Sequence, residues 1–543
     1  MELPEIRPEE RTPLVEALLG IIQGVLDRNR QLEETVLQLR DEIAILKGQK
    51  PRPQIKPSRL ESDKPPSQQE GSLTEGSAKR PGSEKRSKNS QLAIHRRVHL
   101  HIDALPPGAV LKGYEPYVVQ DLVMESKNTL YLRARYLLAD GSSILAPLPV
   151  DVIPGKHFGT TLIGYILHQY HNSGVTQGLL LQSLRDYGVD ISAGELNRIL
   201  TEKHDVFHQE KDEVRAAGLA TASYIGTDDT GARHQGQNGY CTFIGNDLFS
   251  YFESTDSKNR INFLELLQGS QRRYVINDTA IAYWQREGLS VELVHKLSAG
   301  PRQFADATAW QARLTELPIT GDWRVRRVTE GVLLGGLVDL GVSPDLVVLS
   351  DGAPQFVILV HAACWVHAER PLARMIPYHE EHRALIEKMR DQIWELYRDL
   401  KAYQQHPDAS QKTLLQARFE ALCDQRTGYP GINAVLKDMR EHKADLLRVL
   451  DRPEVPLHNN GAESDIREFV KKRKISGGTR SDAGRRCRDT FASLKKTCRK
   501  LGINFWDYLQ DRMRGLGEIP RLADLIGQRA LETQGPIAQA VPA

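Results

Sequence analysis

No apolar run in the 543-residue chain approaches the roughly 20 residues needed to cross a bilayer, which excludes a membrane protein. The opening MELPEIRPEERTP lacks a basic start followed by an apolar stretch, so no secretory signal is legible and a cytoplasmic protein is expected. Cysteine is scarce: Cys241, Cys364, Cys423, Cys487 and Cys498 are scattered, without the dense, even spacing of a disulfide framework, and fit a reducing compartment. Net charge is only +2, so the bulk balance does not announce a nucleic-acid binder, and any such role must rest on local clusters of charge. The length is too great for one core, and several domains are expected.

Residues 14–47 carry a heptad seam, with Leu18, Val25, Leu32, Leu39 and Leu46 at d and Ile22, Asn29, Val36 and Ile43 at a. Branched residues at a with Leu at d favour two parallel strands, and one Asn at a sets register, so homodimerisation through 14–47 is expected. From Gly48 to about Ser90 the composition turns to Pro, Ser, Gly, Lys and Glu, which cannot bury enough surface to fold and reads as a linker. Period-two patterning follows: TyrValValGlnAspLeuVal from Tyr117, LeuTyrLeuArgAlaArgTyrLeuLeu from Leu130, and an Asp140-Gly141 turn before Ile144, signals of a small antiparallel β unit. Residues 161–203 read as three short helices, Gly188 ending the second and Ser192 with Glu195 making a capping box for the third. Three helices with a tight turn before the last suit a helix-turn-helix module or a purely structural cluster.

Strands and helices then alternate. SerTyrIleGlyThr leads into Asp228 and Asp229, two more strands and a helix from Asn262 follow, LeuValValLeuSer runs into Asp351, ProGlnPheValIleLeuVal reads as a helix, and AlaCysTrpValHis reads as a strand. That order describes a central sheet flanked by helices, with acids at two strand ends that become neighbours if those strands pair. A third acid, Glu463, falls in the first turn of a helix that Asn460 is placed to cap. Two strand-end aspartates and a helical glutamate are hard oxygen ligands that leave room for phosphate and water around magnesium. Taken singly, Asp229 also reads as a turn residue and Glu463 as a capping glutamate, and the pattern does not separate Asp228 from Asp229. Cys364 and His367, with His361 nearby, form a lone C-x-x-H without the second pair a zinc site needs.

The segments ThrAspAspThrGlyAlaArg, LeuSerAspGlyAlaProGlnPhe, CysTrpValHisAlaGluArg and HisAsnAsnGlyAlaGluSerAspIleArg, then IleSerGlyGlyThrArgSer and AsnPheTrpAspTyrLeu, resemble the bacterial insertion sequence 66 family of transposases in order and wording. The resemblance covers roughly residues 155–512. It implies a ribonuclease H-like catalytic fold with a DDE triad on Asp228, Asp351 and Glu463, and a helical insertion before the glutamate. It also implies two magnesium ions, or manganese in their place, and a reaction of strand cleavage followed by strand transfer. Two departures stand out: residues 93–155 lack the cysteines of the family's zinc ribbon, and the stretch from about Gln268 to Glu330 is longer than the family usually has.

Beyond Glu463 the basic residues concentrate, and Arg467, Lys471, Lys472, Arg473, Lys474, Arg480, Arg485 and Arg486 are the candidate phosphate contacts. The expected organisation is a multidomain α+β chain. It comprises an N-terminal coiled coil (1–48), a linker (49–92), a small β unit (93–158), a helix-turn-helix (159–205) and a ribonuclease H-like α/β catalytic domain in two parts (206–363 and 456–515). An all-helical insertion (364–455) separates those parts, and a tail (516–543) ends the chain. The expected partners are transposon-end and target DNA, with accessory proteins admitted, and the expected location is the bacterial cytoplasm at the nucleoid. The rival readings are a dimeric DNA-binding repressor that does not cut, and a nuclease of the same fold that does not join strands.

Overall fold

The computed structural model describes residues 93–101, 104, 108–149, 152 and 157–533, together with Val15 and Ile22. Apart from those two residues, the zipper expected over 14–47 and the linker after it lie outside the described residues. The chain divides into two units, 1–120 and 121–543. The described part of the first holds no helix or strand beyond Val15 and Ile22, and the rings of His99 and His101 lie 4.9 and 5.8 Å from that of Tyr114.

In the second unit, β1 (Arg135–Leu137) pairs antiparallel with β2 (Ser143–Leu145), Tyr136 opposite Ile144. The Asp140-Gly141 turn forms as expected, Asp140 Oδ1 accepting from Ser142 N at 2.9 Å. The strand expected from Tyr117 does not form, and the one from Leu130 shrinks to three residues. The side chains that suggested a buried face, Val119, Leu122 and Leu132 among them, are exposed, and alternation without a layer to pack on does not hold a ladder together.

Helices α1 (Thr160–Leu167), α2 (Gln177–Asp186) and α3 (Ala193–Thr201) follow, α1 running on through a π turn at His168–Asn172. Ile166, Leu167, Leu180, Leu184, Leu196 and Leu200 close their common core. Ser192 Oγ accepts from Glu195 N at 3.1 Å, as the capping motif requires, while the Glu195 carboxylate turns to Arg198. Helix α4 (Asp205–Thr221) then leads into the main sheet.

Strands β3 (Tyr224–His234), β4 (Gln237–Gly245) and β5 (Ser250–Thr255) form an antiparallel meander. After α5 (Arg260–Gln268), residues 274–339 form β6 (Tyr274–Val275), α6 (Asp278–Arg286), α7 (Val291–Ser298), β7 (Gln303–Phe304), α8 (Ala307–Glu316) and α9 (Asp322–Asp339). This stretch, to which the sequence attaches no role, packs Tyr283, Trp284, Leu297 and Trp310 with Val328 and Val332 in the main core. Gly335 and Gly336 let α9 lie directly on the backbone of Val275 and Arg273, where a Cβ would collide with their carbonyl oxygens. Strands β8 (Val347–Ser350) and β9 (Val360–Ala363) complete a mixed sheet of order β5-β4-β3-β8-β9, β8 parallel to β3 and β9 parallel to β8.

Two expectations near β9 fail. Residues 354–360 are not a helix: Phe356 and Ile358 are both buried, a period-two plug into the core with Phe356 against Phe263, and the run offers no polar face for a helix to expose. Residues 363–367 are not a strand, because β9 stops at Ala363 and Cys364 precedes α10 (Trp365–Arg374). There Trp365 and Leu372 face the core of the insertion. The insertion continues as α11 (Glu380–Gln405), α12 (Ala409–Cys423), α13 (Pro430–Glu441) and α14 (Lys443–Leu446), around a core of its own that includes Ile393, Leu400, Phe419 and Leu436.

The chain returns to the sheet with α15 (Asn460–Ser476) and α16 (Asp482–Lys500). Helix α16 closes the β5 edge: Thr497 Oγ1 accepts from Ser250 N (3.1 Å), Ser493 Oγ from Phe252 N (2.9 Å) and Asp489 Oδ2 from Ser254 N (2.8 Å). Four helical residues rise about 6 Å and two strand residues about 6.8 Å, so side chains four apart meet edge amides two apart. An edge that would otherwise pair with another chain is thereby satisfied. After α17 (Phe505–Arg514), the expected tail is instead partly a packed helix, α18 (Leu522–Thr533), whose Leu522, Ile526 and Ala530 are buried at a spacing of four. It is tied down at Glu210 of α4, which accepts from Leu522 N (3.0 Å), Tyr508 Oη (2.9 Å) and Arg512.

Candidate active site

Parallel pairing of β3 with β8 matches Gly226 to Leu349. Asp228 comes two residues after Gly226, and Asp351 two residues after Leu349, so both lie just past the paired ends. Asp351 directly follows the last residue of β8, as expected, but Asp228 lies in the middle of β3, not at its end. The strand runs on because Thr227 to His234 also pair with β4, through a turn at Gln235 and Gly236.

Glu463 lies in the first turn of α15, whose N-cap is Asn459, not Asn460, and whose cap makes no side-chain bond of the usual kind. Asn459 does something else. Its Nδ2 donates to Thr227 O at 2.7 Å, one residue before Asp228, and its backbone N–H points to Cys364 Sγ at 3.3 Å. The helix start is thus fastened both to β3 and to the head of α10. Gly226 permits the approach, since a Cβ there would lie 2.9 Å from Asn459 Oδ1 and 3.4 Å from the Ala462 Cβ.

Burial pushes Asp228 up to about 6, and the negative charges of Asp351, Glu463 and Asp229 push the same way against a hydrogen bond from Asp229 N (2.8 Å). Asp351 and Glu463, distant in sequence, thus both act on Asp228 through their charge. Asp229, on the opposite face of the strand, is occupied: Thr242 Oγ1 donates to its Oδ1 at 2.6 Å and Gln355 Nε2 to its Oδ2 at 2.9 Å. Burial raises its pKa too, and those two bonds oppose the rise. Asp351 is exposed and its Oδ1 accepts from Ala353 N at 3.0 Å.

Glu463 faces two arginines and a histidine. Its Oε1 is 3.7 Å from His367 Nε2 and 3.8 Å from Arg370, and its Oε2 is 3.4 Å from Arg467. Among the described residues no three His, Cys, Asp or Glu side chains converge tightly enough to hold a metal ion as they stand. The donor set nonetheless suits a hard divalent cation: mutual repulsion of three carboxylates is what such an ion relieves, and Glu463 Oε1 is buried with no hydrogen-bond partner.

Two residues outside the expected triad hold this site in shape. One is Asn459. The other is His361, which bridges Ser350 Oγ (2.9 Å), beside Asp351, to Asp445 Oδ2 (2.9 Å) in the insertion. Of the C-x-x-H, Cys364 Sγ accepts from Asn459 N and His367 lies beside Glu463, and all five cysteines are free and buried. His361 stands out in the sequence only as a neighbour of the C-x-x-H, which does not signal the bridge it makes. The pair Asn459-Asn460 does stand out, but only as a helix start.

The basic run divides into two groups. Lys472 is half-buried over the Tyr170 ring, 3.6 Å from its centroid, donates to Tyr170 O at 2.6 Å, and is pushed down to about 7 by burial with help from Arg488 and Lys495. Arg473 bonds Thr230 and the Gly231 carbonyl, and Arg485 bonds Asp256 (3.0 Å). Further along, Lys495, Lys496, Arg499 and Lys500 pair with Asp465 and Glu468. Much of this charge therefore fastens helices together and does not face solvent. Arg467, Lys471, Lys474, Arg480 and Arg486 remain exposed.

No helix among the described residues is long and apolar enough to cross a membrane. Residues 354–486, which include Glu463 and the exposed cations but neither aspartate, match the family described as Transposase IS66 family. The chain is 42% identical over 318 residues to the uncharacterized protein y4jO of Sinorhizobium fredii, an alignment spanning 58% of this chain and 99% of that relative. With this relative covered almost end to end and the family motifs in the returning half of the site, the chain belongs to the IS66 family of transposases.

Proposed function

We propose that the chain is a DDE transposase that cuts DNA at transposon ends and joins the freed end to target DNA, with Asp228, Asp351 and Glu463 as the ligands of two magnesium or manganese ions. The observation that carries this reading is geometric: Asp228 and Asp351 each follow by two residues the paired Gly226 and Leu349 of parallel strands, and the helix start that bears Glu463 is tied to Thr227 O by Asn459. A strand order of β5-β4-β3-β8-β9, with the first three antiparallel and the last two parallel to β3, supports a ribonuclease H-like catalytic domain. Asp228, and not Asp229, takes the first position in this reading, because both oxygens of Asp229 already accept hydrogen bonds.

Two divalent ions bound by these carboxylates would activate the attacking oxygen and stabilise the leaving one. The residues themselves supply placement. The parallel pairing that ends at Gly226 and Leu349, two residues before Asp228 and Asp351, and the Asn459 tether from the Glu463 helix to Thr227 O support this placement. In the first step water attacks phosphorus at the transposon end, the bond to the 3′ oxygen breaks, and a 3′ hydroxyl is left. In the second, that hydroxyl attacks a target phosphodiester. Arg467, Lys471, Lys474, Arg480 and Arg486 hold the duplex by its phosphates, and the α1–α3 module, as a helix-turn-helix, recognises the terminal repeats. A dimer through residues 14–47 brings two ends together.

The test is to incubate the full chain and magnesium with the DNA that flanks its gene, then map the cut ends. Cuts at the boundaries of inverted repeats that leave 3′ hydroxyls, followed by joining to a second duplex, support the proposal. Specific binding without cutting would favour a repressor, and cutting without joining a nuclease.

A further inference from the structure

We infer that His367, Arg370 and Arg467 form a phosphate-binding arm that rests on Glu463 in the DNA-free chain and moves to a DNA phosphate beside the cut when the substrate arrives. This rests on the reading of Glu463 as a metal ligand. His367 and Arg370 are three residues apart on α10 and so share a side of that helix, and the exposed Arg374 continues the same stripe. The opposite side is committed to the insertion core through Trp365 and Leu372. Arg467 approaches from α15, one turn beyond Glu463.

Two guanidinium groups and an imidazole thus surround one carboxylate: Arg467 donates a long hydrogen bond to Oε2 (3.4 Å), and Arg370 and His367 stand 3.8 and 3.7 Å from Oε1, beyond the roughly 2.7–2.9 Å of a tight charge-assisted bond. His367 Nδ1 and Glu463 Oε1 are both buried without a hydrogen-bond partner. Two loosely seated guanidinium groups, and buried polar atoms left open, fit an oxygen-rich anion that is yet to arrive. Guanidinium groups match phosphate oxygens two at a time. Once Arg370 and Arg467 take a phosphate, the Glu463 carboxylate is released toward Asp228 and Asp351. Substrate binding then completes the acidic site, so the chain assembles its cutting centre only on DNA.

The arm predicts two effects of opposite sense in the full-length double variant Arg370→Gln/Arg467→Gln. Without DNA, Mn2+ binding followed by electron paramagnetic resonance should tighten several-fold, because Glu463 is no longer held. With the gene-flanking duplex, the slope of log affinity against log salt should fall by about 0.9 for each phosphate contact removed, about 1.8 in all. The corresponding Lys/Lys variant should keep the wild-type slope. Arg467 alone, with its side chain 73% exposed, gives a slope change of about 0.9 that does not depend on folding. Unchanged Mn2+ affinity and unchanged slope in the Gln/Gln variant, with Mn2+ binding lost in Glu463→Gln, would overturn the arm and leave the triad standing. Wild-type Mn2+ binding in Glu463→Gln would overturn the triad, and the arm with it.

Discussion

Replacing Asp228 with Asn should stabilise the metal-free chain above pH 6 while removing its metal-dependent activity. Burial and three neighbouring acids raise the folded carboxyl from 3.8 to about 6. A raised acid adds stability at low pH that is lost as pH climbs through the interval between the unfolded and folded values, here about 4 to 6. Beyond pH 6 the ionised Asp228 works against the fold. A shift of about two units is worth about 3 kcal/mol at 1.36 kcal/mol per unit. The side chain is only half-buried, and solvent screening brings the figure to about 1–2 kcal/mol. Asn retains an oxygen to accept from Asp229 N, so the substitution removes charge and little else. Urea denaturation of wild type and variant in chelator, from pH 4 to 8, reads the difference. It should be near zero at pH 4, grow to pH 6 and stay level above. Magnesium at pH 8 should stabilise the wild type and leave the variant unmoved, since only a state that binds the ligand gains from it. A variant less stable than wild type at pH 8, or a difference independent of pH, would refute the electrostatic account of the site.

Asn459→Ala should cost about 1–3 kcal/mol, by leaving the buried Thr227 carbonyl unpaired, and should lower cleavage further than that loss of stability explains; chemical denaturation and single-turnover cutting separate the two. Gly226→Ala puts a methyl 2.9 Å from Asn459 Oδ1 and should cost about 1–3 kcal/mol in the same denaturation assay, with α15 displaced from β3. Lys472→Met keeps the apolar stem over Tyr170 and removes a charge that burial disfavours, so duplex affinity should hold while Lys471→Gln and Arg480→Gln each reduce the salt slope by about 0.9. Ser493→Ala should destabilise by about 1–3 kcal/mol through the Phe252 amide it strands on the sheet edge, again read by denaturation.

Where sequence reasoning read the molecule well, local chemistry and tertiary context agreed. The Ser192 cap, the Asp140-Gly141 turn, the helices of the insertion and the place of Asp351 just beyond β8 follow from short-range signals that the fold leaves intact. It read less well where burial overrode pattern. Residues 354–360 are apolar enough for a helix but plug the core with alternate side chains, and Tyr117–Val123 alternates like a strand yet has no neighbour to pair with. Asp228 looked like a strand end because the residues after it are polar or small, whereas pairing to β4 carries the strand six residues further. The basic run illustrates the same limit: charge density is visible in a sequence, but not whether Lys472 or Lys496 meets water or a carboxylate and a ring. The bridge from Ser350 through His361 to Asp445 spans three distant segments, and no local motif encodes it.

The most direct test of the central claim compares Asp228→Asn, Asp351→Asn and Glu463→Gln with wild type in magnesium-dependent cleavage of the gene-flanking duplex, at matched DNA occupancy. Loss of cutting by at least about a hundredfold in each, with binding retained, is the predicted result. Undiminished cleavage in any one of the three would contradict the claim that these acids together form the cutting centre.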